Sequence, residues 1–113
     1  MENCVFCRIA RGEIPAQVVH QDGEILVFKD INPKAPVHLL IIPREHIPSL
    51  AEATPEHERL LGRLLLTARE VARAQGLHRG YRLVNNCGDE GGQTVPHLHF
   101  HLLGGRFLGW PPG

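Results

Sequence analysis

Residues 96–103 read PHLHFHLL, so that His97, His99 and His101 alternate with Leu98, Phe100 and Leu102. Along a β-strand, side chains point to opposite faces with period 2. The pattern therefore predicts a strand over Val95–Leu103 with three imidazoles on one face and three apolar side chains on the other. On a helix the same residues would be spread around the axis. An apolar back face anchors such a strand on a core. Its front face is then a row of rings roughly 6–7 Å apart at the backbone. Histidine is the side chain that serves as nucleophile, proton carrier and metal ligand near neutral pH.

The rest of the chain supplies the elements that such a strand needs. Residues 4–11 read as a short helix, and Gly12–Pro15 as a turn. Residues 16–20 and 24–29 form a predicted hairpin around Gln21, Asp22 and Gly23. Asn32–Pro36, with two prolines, reads as a loop. Val37–Ile42 is an apolar strand that Pro43 ends. One long helix is marked by Thr54 as N-cap, Pro55 at its first position and Glu56 and Glu58 in its first turn. Leu60, Leu61, Leu64, Leu65, Ala68, Val71 and Ala72 then recur at helical spacing, and Gly76 stops it. Tyr81–Asn85 is a further strand and Gly88–Gly92 a glycine-rich loop. Strands that follow one another closely favour an α+β fold with an antiparallel sheet.

Length and charge narrow the class. The chain has 113 residues, which suits one domain over residues 1–113. Twelve Lys and Arg balance twelve Asp and Glu, so the net charge is zero with neutral histidines. That argues against a broad electrostatic footprint for nucleic acid or an anionic membrane. No apolar run approaches the ~20 residues of a membrane span. MENCVFCRIARG lacks the long apolar core of a signal peptide, so the cytoplasm is the expected location, where Cys4, Cys7 and Cys87 would stay reduced.

Several stretches then carry a family resemblance. PHLHFHLL resembles the His-x-His-x-His-x-x signature of the histidine-triad superfamily. GEIPA at 12–16, FKDINPKAPVHLLIIPREHI at 28–47 and GYRLVNNCGDEGGQTVPHLHFHLLGGR with WPPG at 80–113 are similar to its nucleotide-binding Hint branch. The resemblance implies a five-stranded antiparallel sheet with one long and one short helix, continued across a homodimer. It also implies hydrolysis of purine nucleoside phosphoramidates, of adenosine or guanosine, to a nucleoside monophosphate and an amine.

The chemistry assigns roles within that expectation. An imidazole that attacks phosphorus forms a nucleotidyl-histidine that water then hydrolyses. The resemblance places the nucleophile at His99, places His101 beside the phosphoryl oxygens and leaving amine, and adds His38 as a third active-site histidine. It brings Asn86, Gly92 and Thr94 to the phosphate and Asp30 to the ribose hydroxyls. Phe28 and Ile31, with Phe6 and Ile9, are candidates for an apolar base slot or for plain core. No cofactor is expected in catalysis.

Cys4 and Cys7 form a CxxC pair, which supplies two of the four ligands that a closed zinc site needs. It also fits redox chemistry or two buried thiols. Some family members complete a Cys2His2 structural zinc site, and the matching residues here are His46 and His97. Cys87 is expected to be structural. Other readings are a metal-dependent enzyme with an open site among His97, His99 and His101, a dinucleoside polyphosphate hydrolase, and a non-enzymatic nucleotide- or zinc-binding adaptor. A histidine at position 101, where transferases of the superfamily carry glutamine, favours hydrolysis. The WPPG tail favours the Hint branch and is expected to reach the partner subunit's site.

Overall fold

The computed structural model describes residues 2–113. Two α-helices, α1 (Val5–Ala10) and α2 (Glu58–Ala74), accompany five strands. These are β1 (Val18–Gln21), β2 (Ile25–Lys29), β3 (Val37–Pro43), β4 (Tyr81–Val84) and β5 (Phe100–Gly104). The sheet runs β1-β2-β3-β5-β4, antiparallel at every pairing. This is the α+β, five-stranded sheet with one long and one short helix that the sequence led us to expect.

β2 and β3 are apolar along almost their whole length because both of their faces are covered. Ile25, Val27, Leu39 and Ile41 pack with Leu60, Leu64, Ala68, Val71 and Ala72 of α2. The alternate residues Leu26, Phe28, Leu40 and Ile42 pack on the other face with Cys4, Phe6 and Cys7 at α1. Each wholly buried aliphatic side chain contributes about 1.5–3 kcal/mol relative to exposure. The layers are therefore α2, sheet, and α1 beside the histidine face.

The start of the long helix differs from the predicted start. Pro55–His57 is a 3-10 turn, and the α-helix begins at Glu58. The Thr54 N–H donates to His57 Nδ1 at 3.0 Å, so His57 bonds back to the cap residue and tightens the first turn. The stop is as expected. Gly76 has φ +76°, its N–H reaches the Arg73 carbonyl at 3.0 Å, and the Leu77 N–H reaches that of Ala72 at 2.9 Å. That pair of bonds is the Schellman arrangement, with Leu77 buried beneath the helix end.

The histidine segment is also shorter as a strand than its pattern predicts. β5 begins at Phe100, so His97 and His99 precede it. The ladder ends because the facing backbone groups find other partners. The His97 N–H turns onto the Val95 carbonyl at 2.8 Å, the Leu98 N–H donates to Ile47 at 2.7 Å, and Pro96 has no N–H to offer. The Asn85 side-chain amide takes the His99 carbonyl at 2.9 Å in place of a backbone partner. The alternation of faces survives nonetheless. Leu98 and Leu102 lie in the α2-side core with Phe100 against it, while the histidines face the other way.

Candidate active site

The histidine face divides into two clusters, each built by different elements. The first joins β3 to β5. Antiparallel pairing sets His38 opposite Leu103 and Leu40 opposite His101, which brings the two rings together on one face. His38 Nε2 lies 2.9 Å from His101 Nδ1, and the His99 and His101 ring centroids lie 5.1 Å apart.

Partners at each nitrogen fix the protons. The backbone N–H of Lys34 donates to His38 Nδ1 at 3.0 Å. His38 therefore carries its proton on Nε2 and donates it to His101 Nδ1, with the Asp30 carboxylate 3.4 Å away. His101 in turn holds its proton on Nε2. Burial, then the neighbouring His99 and His38, pushes its pKa down to about 4, and burial likewise lowers that of His38. Both rings are neutral at pH 7.

His99 has the opposite tautomer. Its Nδ1–H donates to the carbonyl of His97 at 2.7 Å, which leaves Nε2 with a free lone pair. No buried side-chain nitrogen or oxygen among the described residues lacks a partner. Nε2 of His99 has none within the protein, so it reaches the surface. Phe6 of α1 packs edge-on against this ring at 5.1 Å and holds its plane.

The second cluster gathers Cys4, Cys7, His46 and His97, whose ligand atoms all lie within 4.8 Å of one another. The distances His46 Nδ1 to His97 Nδ1, Cys7 Sγ to His46 Nδ1 and Cys4 Sγ to His97 Nδ1 are 3.2, 3.2 and 3.3 Å. A tetrahedral ion with ordinary Zn–N and Zn–S bonds sets its ligand atoms about 3.3–3.8 Å apart. The Nε2–H of His97 is spent on the Pro43 carbonyl at 2.8 Å, so its Nδ1 is bare and aimed into the cluster. Burial, with the neighbouring Cys4, pushes the Cys7 thiol up, a cost that a bound cation would reverse. The four residues fit a metal ion by distance, tautomer and donor type.

Asp30, His38 and His101 also bring three donor atoms within 4.8 Å. There the Lys34 N–H forces the His38 proton onto Nε2, the atom that a metal would need. That cluster is a hydrogen-bonded pair. Nor do the three alternating histidines converge on one point, because His97 turns to the cysteines while His99 and His101 remain together.

The expected binding residues surround the first cluster unevenly. Phe28 is buried against Phe6, with ring centroids 5.6 Å apart, and so belongs to the core. Ile31 is 99% exposed, free to meet a ligand. Asp30 Oδ1 already accepts the Asn32 N–H at 2.8 Å, with lone pairs to spare. Asn86 donates to the Gly91 carbonyl at 2.7 Å and so braces the glycine loop. The N–H of Gly92 is taken by Asp89 at 3.0 Å, which removes it as a phosphate donor. Thr94 is exposed beside them. Cys87 is half-buried, and a Cβ on Gly91 would stand 2.4 Å from its carbonyl oxygen. Sequence reasoning missed Lys34, Asn85 and Pro43, which hold the histidines in place. Two of these act through backbone atoms, which leave no side-chain signature.

A family model described as "Scavenger mRNA decapping enzyme C-term binding" matches residues 3–109. An uncharacterized HIT-like protein of Synechococcus elongatus is 56% identical over 112 residues, covering 99% of this chain and 98% of that one. The crystal structure of a HIT family hydrolase from Legionella pneumophila superposes with TM-score 0.97 at 54% identity, over 98% of this chain and 100% of that one. A zinc-bound histidine triad family protein from Mycobacterium smegmatis does so with TM-score 0.83 at 34% identity, over 93% and 76%.

Proposed function

The chain belongs to the histidine-triad (HIT) family, and from that premise we propose that it is a hydrolase cleaving the P–N bond of purine nucleoside 5′-phosphoramidates through a nucleotidyl-histidine. The observation that carries this reading is the tautomer of His99. A ring with its Nδ1–H tied to the His97 carbonyl and its Nε2 bare needs no base to become a nucleophile. Nε2 bonds phosphorus as the P–N bond breaks, and the leaving nitrogen takes a proton from solvent, which the water of the second step returns. Water then displaces the histidine and releases the nucleoside monophosphate.

His101 offers its Nε2–H to a phosphoryl oxygen, where the developing charge is greatest. The general-acid role expected from the resemblance needs an imidazolium, whose Nδ1 would carry a proton and no longer accept from His38. His38 directs His101 by donating to its Nδ1. Asp30 accepts from the ribose, Ile31 meets the base, and Asn86, Gly92 and Thr94 shape the phosphate rim. For Gly92 the contribution is a backbone turn at φ +81° and not a free N–H.

Cys4, Cys7, His46 and His97 are proposed to hold a structural Zn2+. Four N and S ligands complete a tetrahedral shell with no open position for substrate. When bound, the ion ties α1 to the segments carrying His46 and His97. The protein is further proposed to be a homodimer in the cytoplasm, with β4 at the sheet edge continuing into its partner. The test is rapid quench with adenosine and guanosine 5′-phosphoramidate, and with a dinucleoside polyphosphate as competitor. Wild type should yield a trapped nucleotidyl-histidine and His99→Ala none, with turnover down by orders of magnitude in a folded protein. Equal turnover in the variant would defeat the reading. Preference for the polyphosphate would move the substrate to a P–O–P anhydride.

A further inference from the structure

The turn that follows β5 reaches back to the loop that controls His38. Gly105 has φ +91°, and a Cβ there would stand 2.9 Å from the Cβ of Pro36, so this turn packs directly on the 30–36 loop. From that turn Arg106 extends over the loop. Its Nη2 donates to the Lys34 carbonyl at 2.9 Å and its Nη1 to the Phe107 carbonyl at 3.0 Å. Lys34 is the residue whose N–H occupies His38 Nδ1 at 3.0 Å.

We propose that Arg106 is a positioning residue for the hydrolysis: by clamping Lys34 it fixes the direction of the His38–His101 hydrogen bond. The inference rests on the proposed function for its kinetic consequence, though not for its structural one. The carbonyl that Arg106 holds belongs to the Lys34–Ala35 peptide, whereas the N–H on His38 belongs to the Pro33–Lys34 peptide. Arg106 therefore acts by placing residue 34 and not by polarising the N–H. With Lys34 in place, only one arrangement is open to the pair. His38 donates from Nε2, His101 accepts at Nδ1, and the proton of His101 faces outward on Nε2.

Without the clamp, a second arrangement becomes available. His38 can take its proton on Nδ1 and accept at Nε2. His101 would then donate from Nδ1 and present a bare Nε2 lone pair to an anionic phosphate, which repels it. The charged and titratable groups facing the pair are Asp30, Lys34 and His99. Asp30 favours a protonated His38, and the Lys34 ammonium opposes it.

Arg106→Gln tests this, with Arg106→Lys as the conservative rescue and Gly105→Ala as a second route to the same displacement. Arg106 is exposed, so the fold should survive. Two readouts are needed. Nitrogen-15 NMR of the imidazoles, on protein without substrate, should show only protonated His101 Nε2 in wild type and a mixture of tautomers in Arg106→Gln and Gly105→Ala. Turnover of adenosine 5′-phosphoramidate should fall by about tenfold in kcat with KM little changed, as expected for a misaligned donor. The acid limb should also move to higher pH as His38 Nδ1 opens to protonation. Arg106→Lys should restore much of both. Unchanged imidazole signals in Arg106→Gln, or altered signals with unchanged kcat and pH profile, would overturn the positioning role. If wild type itself turned over no phosphoramidate, the substrate reading would fail, while the NMR comparison would still decide the clamp.

Discussion

His97 meets three neighbours with three different atoms. Its Nε2–H goes to Pro43, its Nδ1 to the cysteine cluster and its carbonyl to His99. The repeat HxHxH gives no sign of that split. The repeat showed that three rings share a face. It could not show that one ring turns to the sulfurs and another toward solvent, because backbone carbonyls and a neighbouring proline decided that. Gly91 is a similar case. It reads as one more residue of the glycine-rich loop, yet it is required because the Cys87 carbonyl lies where its Cβ would go. Gly91→Ala should therefore cost about 1–3 kcal/mol through overpacking against backbone, measured by urea denaturation. Gly62→Ala, in α2 with open space around it, is the control and should stabilise by about 0.5–1 kcal/mol.

Among the elements, α1 has the least to hold it. Six residues are too few for a helix to persist on its own propensity. Its anchors are Phe6 in the sheet-side core and the two cysteines, with Cys4 Sγ accepting the Cys7 N–H at 3.3 Å as the N-cap. Metal binding should then appear as folding free energy. Elemental analysis of protein purified without added metal should find about one zinc per chain in wild type and none in Cys4→Ser, from the ligand count of a closed site. The variant should melt several degrees lower and keep more activity than His99→Ala. Zinc retained in Cys4→Ser would refute the ligand set. The strands and α2 were legible from apolar spacing because burial on one face or two enforces it. The boundary of β5 was not, because the Leu98 N–H leaves the ladder for Ile47, a residue about fifty positions away.

The whole molecule has its buried histidines on one face and its acidic anchor in a turn, and this shapes its response to pH. His101 and His38 titrate below their ordinary range in the fold, His101 at about 4. The unfolded chain binds their protons from about pH 6.5 downward. Their contribution is thus full above about pH 6.5 and is lost as pH falls toward 4. Asp22 follows at lower pH. Burial opposes its charge, but the Glu24 and Ile25 N–H groups, His20 and Arg63 outweigh that and bring it to about 2. Its stabilisation is present above about pH 4 and lost below. The urea midpoint should therefore fall in two stages between pH 7 and pH 2. A midpoint constant from pH 7 to 4.5 would contradict the neutral histidine pair. At this scale the sheet also ends on β4 and the tail leaves Phe107 90% and Trp110 82% exposed. Light scattering should give twice the chain mass, and deleting residues 110–113 should alter selectivity among leaving amines in a protein that still folds.

The bond that aims His99 has one further consequence. The acceptor is the main-chain oxygen of residue 97, which every amino acid possesses. Position 97 can therefore exchange its imidazole without disarming the nucleophile two residues on. A lineage is free to acquire or shed the sulfur-rich cluster by changing Cys4, Cys7 and His46 alongside it, while the reactive nitrogen keeps its orientation throughout. The cluster and the reactive ring share residue 97, but each uses a different atom of it.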